Sequence, residues 1–188
     1  MTLLNLTIRT IKMRALIIIC LLILFSAKTY SQSVSVGGGL VYGDDIEEPG
    51  INLRVYYNLP GNRVCFGPEF STFLSHKENV NGEDIEIDLY ELNLNVHYIF
   101  ELTHKLGFYP FTGLNFSREK EQIEIAGVHE TFTEEKFGLN LGFGAHYAYN
   151  KVVFFTEYDH LFGNLHQNSI TLGLFYTFGN KSKVGEEE

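Results

Sequence analysis

The sequence predicts an all-β protein, an eight-stranded antiparallel up-and-down transmembrane β-barrel. Three observations predict it: eight segments alternate strictly, one face of every segment is bulky and apolar, and the connections alternate between short and long. Alternation indicates strands, because successive side chains leave a strand on opposite faces. The eight segments are Val36–Tyr42, Ile51–Leu59, Val64–Leu74, Tyr90–Phe100, Leu106–Phe116, Phe137–Tyr147, Val152–Tyr158 and Ile170–Phe178.

The first 31 residues have the layout of a secretory signal peptide. Basic residues up to Arg14 precede an apolar run at 15–25, and small residues follow at Thr29 and Ser31. The apolar run is shorter than the roughly 20 residues that a spanning helix needs. We therefore expect a signal peptide over 1–31, a barrel over 32–178 and a short periplasmic tail over 179–188, with Met1 or Met13 as the start.

The chain that remains after cleavage is strongly acidic. It keeps 10 basic and 23 acidic residues, a net charge of about −13. Nucleic acid is therefore not an expected partner, because affinity for it comes from basic contacts to phosphate. Cys65 is then the remaining cysteine, so no intramolecular disulfide is expected.

The two faces of the segments predict which solvent surrounds the barrel. In the sixth segment Leu139 and Leu141 lie on the apolar face, whereas Asn140, Gly142 and His146 lie on the other. A water-soluble barrel would expose the glycine-rich face, although glycine weakens strands and packs nothing. In lipid the bulky face points outward and the small polar residues fill a narrow lumen. The sequence therefore predicts that the apolar face contacts hydrocarbon.

Connection lengths predict which barrel end faces which compartment. Tight joins at 60–62, 101–105 and 150–151 fit periplasmic turns, and both termini fall at that end. The longer joins lie at 43–50, 75–88, 118–131 and 161–169, and alternation around Ile123 and Thr131 predicts a hairpin that projects beyond the membrane. Pro68 and Pro110 lie within segments, where we expect local bulges.

These features resemble the small outer-membrane β-barrels of Gram-negative bacteria, similar to the OmpA transmembrane domain and the OmpX and OmpW groups. The resemblance rests on the signal peptide, the eight segments and the closing "TLGLFYTF" at 171–178. It implies export to the outer membrane, with outer-membrane lipid, lipopolysaccharide and the barrel-assembly machinery as partners. In such families the machinery reads the last aromatic residue of the final strand, which corresponds to Phe178 here.

Three charged residues on the inward face are candidates for a lumen cluster. Arg54, Glu69 and Glu157 each lie a similar number of residues from a predicted periplasmic turn. A salt-bridge cluster that plugs the pore is expected, because eight strands leave room only for side chains. A gated path for ions or protons is the functional alternative.

Two inward histidines, His97 and His146, are expected to be hydrogen-bonded lumen residues. No neighbouring cysteine or closely spaced histidine pair supports a metal site, and Cys65 is expected to be inert. The sequence therefore predicts no metal, no cofactor and no catalytic residue.

The stretch at 157–164 is the most enzyme-like part of the chain. His160 with its neighbouring acids resembles the acid–histidine part of lipid A deacylase barrels, which also need a serine nucleophile. Ser169 and Ser75 are the nearest candidates. We expect instead a non-enzymatic monomer with a structural or surface-interaction role, because its acidic connections face outward. A lipid A-modifying hydrolase and a narrow channel or carrier for small solutes are the alternatives.

Overall fold

A computed structural model describes residues 33–61, 63–80, 83–125 and 128–178, and the chain forms ten strands within these ranges. The predicted signal peptide and tail lie outside them. The strands are β1 (Ser33–Gly43), β2 (Glu48–Asn58), β3 (Val64–Phe73), β4 (His76–Val80), β5 (Glu83–Tyr98), β6 (Phe100–Glu101), β7 (Leu106–Ile125), β8 (Val128–Tyr149), β9 (Val152–Gly163) and β10 (Gln167–Phe178). In this part of the chain no helix is long and apolar enough to cross a membrane.

Eight of the strands close into an antiparallel ring. The order is β1–β2–β3–β5–β7–β8–β9–β10, and β1 pairs with both β2 and β10. The short strands continue their neighbours, with β4 following β3 along β5 and β6 following β5 along β7. Closure pairs the backbone groups that an open sheet would leave exposed in lipid. The predicted all-β, eight-stranded antiparallel barrel is confirmed.

The faces of the ring have the predicted orientation. Leu139, Leu141 and Leu172 point outward with more than half of their surface exposed, whereas Asn140 is 2% exposed and Gly142 is buried. The bulky face is therefore the outside of the barrel, and the glycine-rich and polar face lines the lumen.

The bulge predicted at Pro68 is wrong. Tyr57 pairs with Phe66 and Arg54 pairs with Glu69 in one unbroken register, and only the two pairs between them are missing. Proline lacks the N–H that the ladder needs, so hydrogen bonding stops locally although no residue is inserted.

Pro110 has the same effect on the β5–β7 ladder, which stops at Phe111 and resumes at Phe108 without a change of register. A bulge does occur elsewhere, at residues 74–75. Five residues from Thr72 to His76 lie opposite four residues of β5, from Ile87 to Tyr90, so β3 and β4 differ in register by one.

Three strands continue past the apolar wall at one end of the barrel. The outward face of β8 changes from Phe137 to Glu135, and that of β7 changes from Phe116 to Arg118, while β7 and β8 stay paired up to residues 126–127. We call β4 together with residues 83–89, 118–125 and 128–136 the extension, and the rest of the ring the wall.

The extension contains the predicted hairpin, which continues past the apolar wall, and it corrects the predicted joins. Most residues assigned to the joins at 75–88 and 118–131 lie in strands, and the first join shortens to 44–47. Ladder hydrogen bonds organise these polar segments, because β4, β5, β7 and β8 pair side by side. The two ends of the barrel therefore differ in how far the strands continue past the wall. We call the end opposite the extension the turn end, and it carries the tight connections at 59–63, 102–105 and 150–151.

Candidate functional site

The lumen is filled by aromatic rings that lie over glycines of neighbouring strands. A Cβ atom added at Gly142 would lie 2.4 Å from the Phe111 ring, and one at Gly144 would lie 2.6 Å from the Tyr109 ring. His146 covers Gly107 in the same way. The glycines therefore supply the room that these rings occupy, so the glycine-rich face is a packed interior.

The structure brings Arg54, Glu69 and Glu157 together at the centre of the lumen. The Arg54 guanidinium contacts Glu157 Oε2 at 2.5 Å and Glu69 Oε2 at 3.0 Å, and all three side chains are at least 95% buried. They come from β2, β3 and β9, and β2 and β9 are not neighbours in the ring. We call the side chains of Arg54, Glu69 and Glu157 the belt. The belt crosses the barrel and blocks the passage through it.

Further contacts hold the arginine in place. Its Nε donates to Asn52 Oδ1 at 2.5 Å, and its guanidinium carbon lies 4.5 Å from the centre of the Phe155 ring. Tyr109 donates to Glu157 Oε1 at 2.8 Å, and Asn95 donates to Glu69 Oε1 at 2.6 Å. Charge-assisted hydrogen bonds of this kind offset the cost of burying ions.

His97 joins the belt through a tyrosine. Tyr56 donates its hydroxyl proton to Glu69, and the Tyr56 oxygen lies 2.7 Å from His97 Nε2. Because that proton is used, the histidine Nε2–H must donate to the tyrosine oxygen. His97 also stacks on Phe111 at 4.7 Å between ring centres.

His146 lies apart from His97, on the far side of Tyr109. Its ring centre is 5.8 Å from that of Tyr109, which in turn is 5.2 Å from that of His97. Within the described ranges no group of three histidine, cysteine or acidic side chains could hold a metal. Cys65 is buried and reduced beside His97, its partner across the β3–β5 ladder.

A cavity of about 130 Å³ lies between the belt and the turn end. Ser35, Asn58 and Thr177 line its polar side, and Phe175 and the two histidines line the deeper part. The Ser35 and Thr177 hydroxyls are 2.9 Å apart. Among the described residues, the turn-end half of the lumen therefore holds an open cavity.

The opposite mouth is capped by apolar side chains. Ile46 and Leu165, from two connections, pack into the ring against residues that point inward at the ends of the strands. The full cluster, which we call the cap, consists of Val41, Ile46, Phe73, Leu89, Leu161 and Leu165. Water-filled passage is therefore blocked twice, by this cap and by the belt.

Two acids, the buried Glu91 and the half-buried Asp159, lie between the cap and the belt and were not assigned to the cluster from the sequence. Glu91 accepts a hydrogen bond from Gln167 Nε2 at 2.9 Å, and Asp159 accepts one from Ser169 Oγ at 2.5 Å. Both acids lie on the inward face of their strands, so the alternation of side chains could have placed them in the lumen. No such pattern covered Gln167, because the predicted last strand began only at Ile170.

A hydrogen-bonded cluster ties the first connection to the last strand. Asp44 accepts bonds from the Asn168 side chain at 2.6 Å and from its backbone N–H at 2.7 Å. Chiefly because of the side-chain bond, the pKa of Asp44 lies below its usual value. Burial raises the pKa of the neighbouring Asp45.

The residues of the hydrolase alternative are not brought together. His160 Nδ1 lies 2.8 Å from Asn168 Oδ1 on the outward side of the wall, whereas Ser169 points inward to Asp159. Ser75 donates to Asp88 at 2.6 Å. Neither serine therefore contacts the histidine.

Phe178 lies on the outward face at the turn end. It is 54% exposed, pairs with Val34 across the β1–β10 ladder and makes an edge contact with Tyr176 at 4.7 Å.

A closed ring with an apolar outer surface and a packed polar lumen defines an integral membrane β-barrel. Residues 17–178 match the family described as the outer membrane protein beta-barrel domain, so the chain belongs to that family. Comparison with curated protein sequences gave no significant match.

Three solved structures share the fold. A major outer membrane protein of Thermus thermophilus is 17% identical over 79% of this chain and all of its own, with a TM-score of 0.60. Ail of Yersinia pestis, the attachment invasion locus protein, is 17% identical over 80% of this chain and all of its own, with a TM-score of 0.56. The N-terminal barrel of Pseudomonas aeruginosa OprF is 14% identical over 78% of this chain and 97% of its own, with a TM-score of 0.54. At these identities the likeness concerns the fold.

Proposed function

We propose that the protein is a non-enzymatic barrel of the Gram-negative outer membrane, exported by a cleaved signal peptide, with a structural or surface-interaction role. The observation that carries the proposal is the extension, a four-stranded sheet that continues the barrel beyond the lipid-facing wall. Short turns face the periplasm in this class, so the extension faces the cell exterior.

The extension offers a surface that the wall lacks. Asp88 and Glu86 lie on its outward face together with Lys120, and Glu135 is exposed on β8. The β8–β9 ladder ends at Gly138. Within the described residues, the part of β8 that lies in the extension therefore has a free edge on the side where β9 pairs with the wall. An open edge and charged side chains suit contacts with other molecules.

Lipopolysaccharide is the proposed partner of this surface. Its phosphates and the acidic side chains of the extension would share divalent cations, which bind carboxylate oxygens. The barrel-assembly machinery is the proposed partner of Phe178, whose exposed ring at the turn end supports that role. The protein acts as a monomer in this proposal.

The test compares the protein with a shortened extension. Removal of 119–124 together with 129–134 deletes paired residues only, so Arg118 and Glu135 stay opposite each other. The intact protein should retain purified lipopolysaccharide in Ca²⁺ and release it in EDTA, and the shortened variant should retain less in Ca²⁺. Equal retention by both proteins would contradict the role of the extension.

Two further measurements address the other classes of function. Single-channel currents and solute uptake into liposomes should be absent, because the cap and the belt close the lumen. Acyl release from lipid A should also be absent, and release that is lost in His160→Ala would establish the hydrolase instead.

A further inference from the structure

Two small side chains form a notch in the lipid-facing wall near the turn end. Ala145 of β8 pairs with Thr156 of β9, and both point outward. Phe108 flanks the alanine across the β7–β8 ladder, and Leu172 flanks the threonine across the β9–β10 ladder. The outer surface of the wall is therefore recessed at this pair relative to the residues that flank it.

The notch continues as a furrow toward the turn end. One depression is lined by Ala145 and Thr156 with Leu106, Tyr147 and Phe154, and a second by Leu106 and Tyr147 with residues 103–105. Leu106 and Tyr147 line both depressions and lie between them, so the two are adjacent, and we call them together the furrow. The furrow is apolar along its length and ends at the exposed turn that carries His104 and Lys105.

The charge at this end of the barrel differs from that at the other. Each of the three connections at the turn end carries one lysine or arginine, namely Arg63, Lys105 and Lys151. Exposed basic residues beside the headgroups of a leaflet favour anionic lipids. Lys105 is the one of the three that lies in the lining of the furrow.

We propose that the furrow binds one anionic phospholipid of the periplasmic leaflet. An acyl chain lies over Ala145 and Thr156 and against Tyr147 and Phe154, and the phosphate lies beside Lys105. Burial of the chain in the furrow supplies contact area, and the lysine supplies selectivity for negative headgroups. The inference rests on membrane insertion with the turn end at the periplasm.

A single tryptophan gives the readout, because the natural chain contains none. Phe154→Trp places the reporter in the furrow wall and keeps an aromatic ring there. The protein is reconstituted with brominated phosphatidylglycerol or brominated phosphatidylcholine in a background of unbrominated lipid, and tryptophan quenching is measured. We expect quenching to show a preference of about fivefold for phosphatidylglycerol, the effect of one lysine near an anionic headgroup.

Three variants in the reporter background test the site. Lys105→Gln should abolish the preference, and Ala145→Leu, which fills the notch, should weaken quenching by both lipids. Arg63→Gln is the matched control, because it removes a turn cation outside the furrow lining, and it should leave the preference unchanged.

An equal loss with Arg63→Gln and Lys105→Gln would overturn the proposal in favour of a general surface potential, and so would equal quenching by the two lipids in the starting protein. The mobility shift between unheated and boiled samples verifies that each variant is folded and inserted. A failure of lipid selectivity in correctly inserted protein is therefore distinct from a failure of the membrane assignment.

Discussion

The wall and the extension share the same strands but have opposite polarity. In the wall, β8 exposes Leu139 and Leu141 and buries Asn140, whereas in the extension Glu135 and Thr133 take the outward positions. The alternation of side chains is unbroken along the strand. The difference shows that the period of a strand gives its two faces, and that the surrounding solvent decides which face is polar.

The inner face of β5 reverses in the same way, whereas β7 and β8 keep an inward ion pair of Glu119 and Lys136 in the extension. Arg54 and Glu69 are buried at the centre of the wall, whereas Leu89 is buried at the start of the extension and Ile87 shares its face. Hydrocarbon cannot solvate an ion, so the wall keeps its ions inside, where they pair. Water solvates the outward charges of the extension, so the apolar residues of β5 turn inward there and Leu89 joins the cap.

The largest expected effect comes from removing the central cation of the wall. Arg54→Met leaves Glu69 and Glu157 buried without their partner, which should lower the free energy of unfolding by about 3–5 kcal/mol. Lys77→Met removes an exposed cation from the extension, which lies 3.7 Å from Glu86. Ion pairs near the surface contribute about 0–1 kcal/mol, so the second change should be much smaller.

Urea unfolding of the folded barrel in lipid vesicles measures both variants. Similar losses in Arg54→Met and Lys77→Met would show that the belt contributes no more than an ion pair near the surface, and would contradict the difference between the two regions.

The next effect on the free energy of unfolding is expected from an arginine placed at either of two positions on the outward face of β8. Leu141→Arg places a charge in hydrocarbon and should cost about 2–4 kcal/mol. Thr133→Arg, eight residues earlier on the same face, places the charge in water and should cost little. The same unfolding measurement applies, and an equal cost at both positions would mean that the wall extends further than its apolar residues indicate.

The smallest effect concerns the connection between β1 and β2. Hydrogen bonds from Asn168 lower the pKa of Asp44, so the folded state favours the ionised carboxylate. The stabilisation is therefore present above the unfolded pKa near 3.8 and is lost as the pH falls through the lower, folded pKa. The Asn168 side-chain amide resonances should shift below about pH 4 in the natural protein.

Asp44→Asn is the matched variant for this titration, since it keeps the size of the side chain and removes the ionisation. Its Asn168 resonances should stay constant over the same range. A titration that persists in the variant would assign the shift to another group, such as Asp45.

The barrel, the number of strands in its ring and the direction of its faces follow from the amino-acid sequence alone. Strict alternation in eight segments gives the strands, and the contrast between bulky apolar and glycine-rich faces identifies hydrocarbon as the outer solvent. The inward register also placed Arg54, Glu69 and Glu157 in the lumen. These features are local in sequence, because each depends on the spacing of side chains along one strand.

Which lumen groups meet, and how far the strands extend, depends on the closed ring and cannot be inferred from a single strand. The contact between Arg54 and Glu157 joins strands that are 103 residues apart and not adjacent in the ring, so it depends on strand stagger and ring closure. The extension likewise depends on pairing, because residues 83–89 are polar enough to resemble a loop until β4 and β7 supply hydrogen-bond partners on both sides. Ile46 and Leu165 cap the mouth for the same reason, since a connection packs inward only where a closed ring offers an apolar rim.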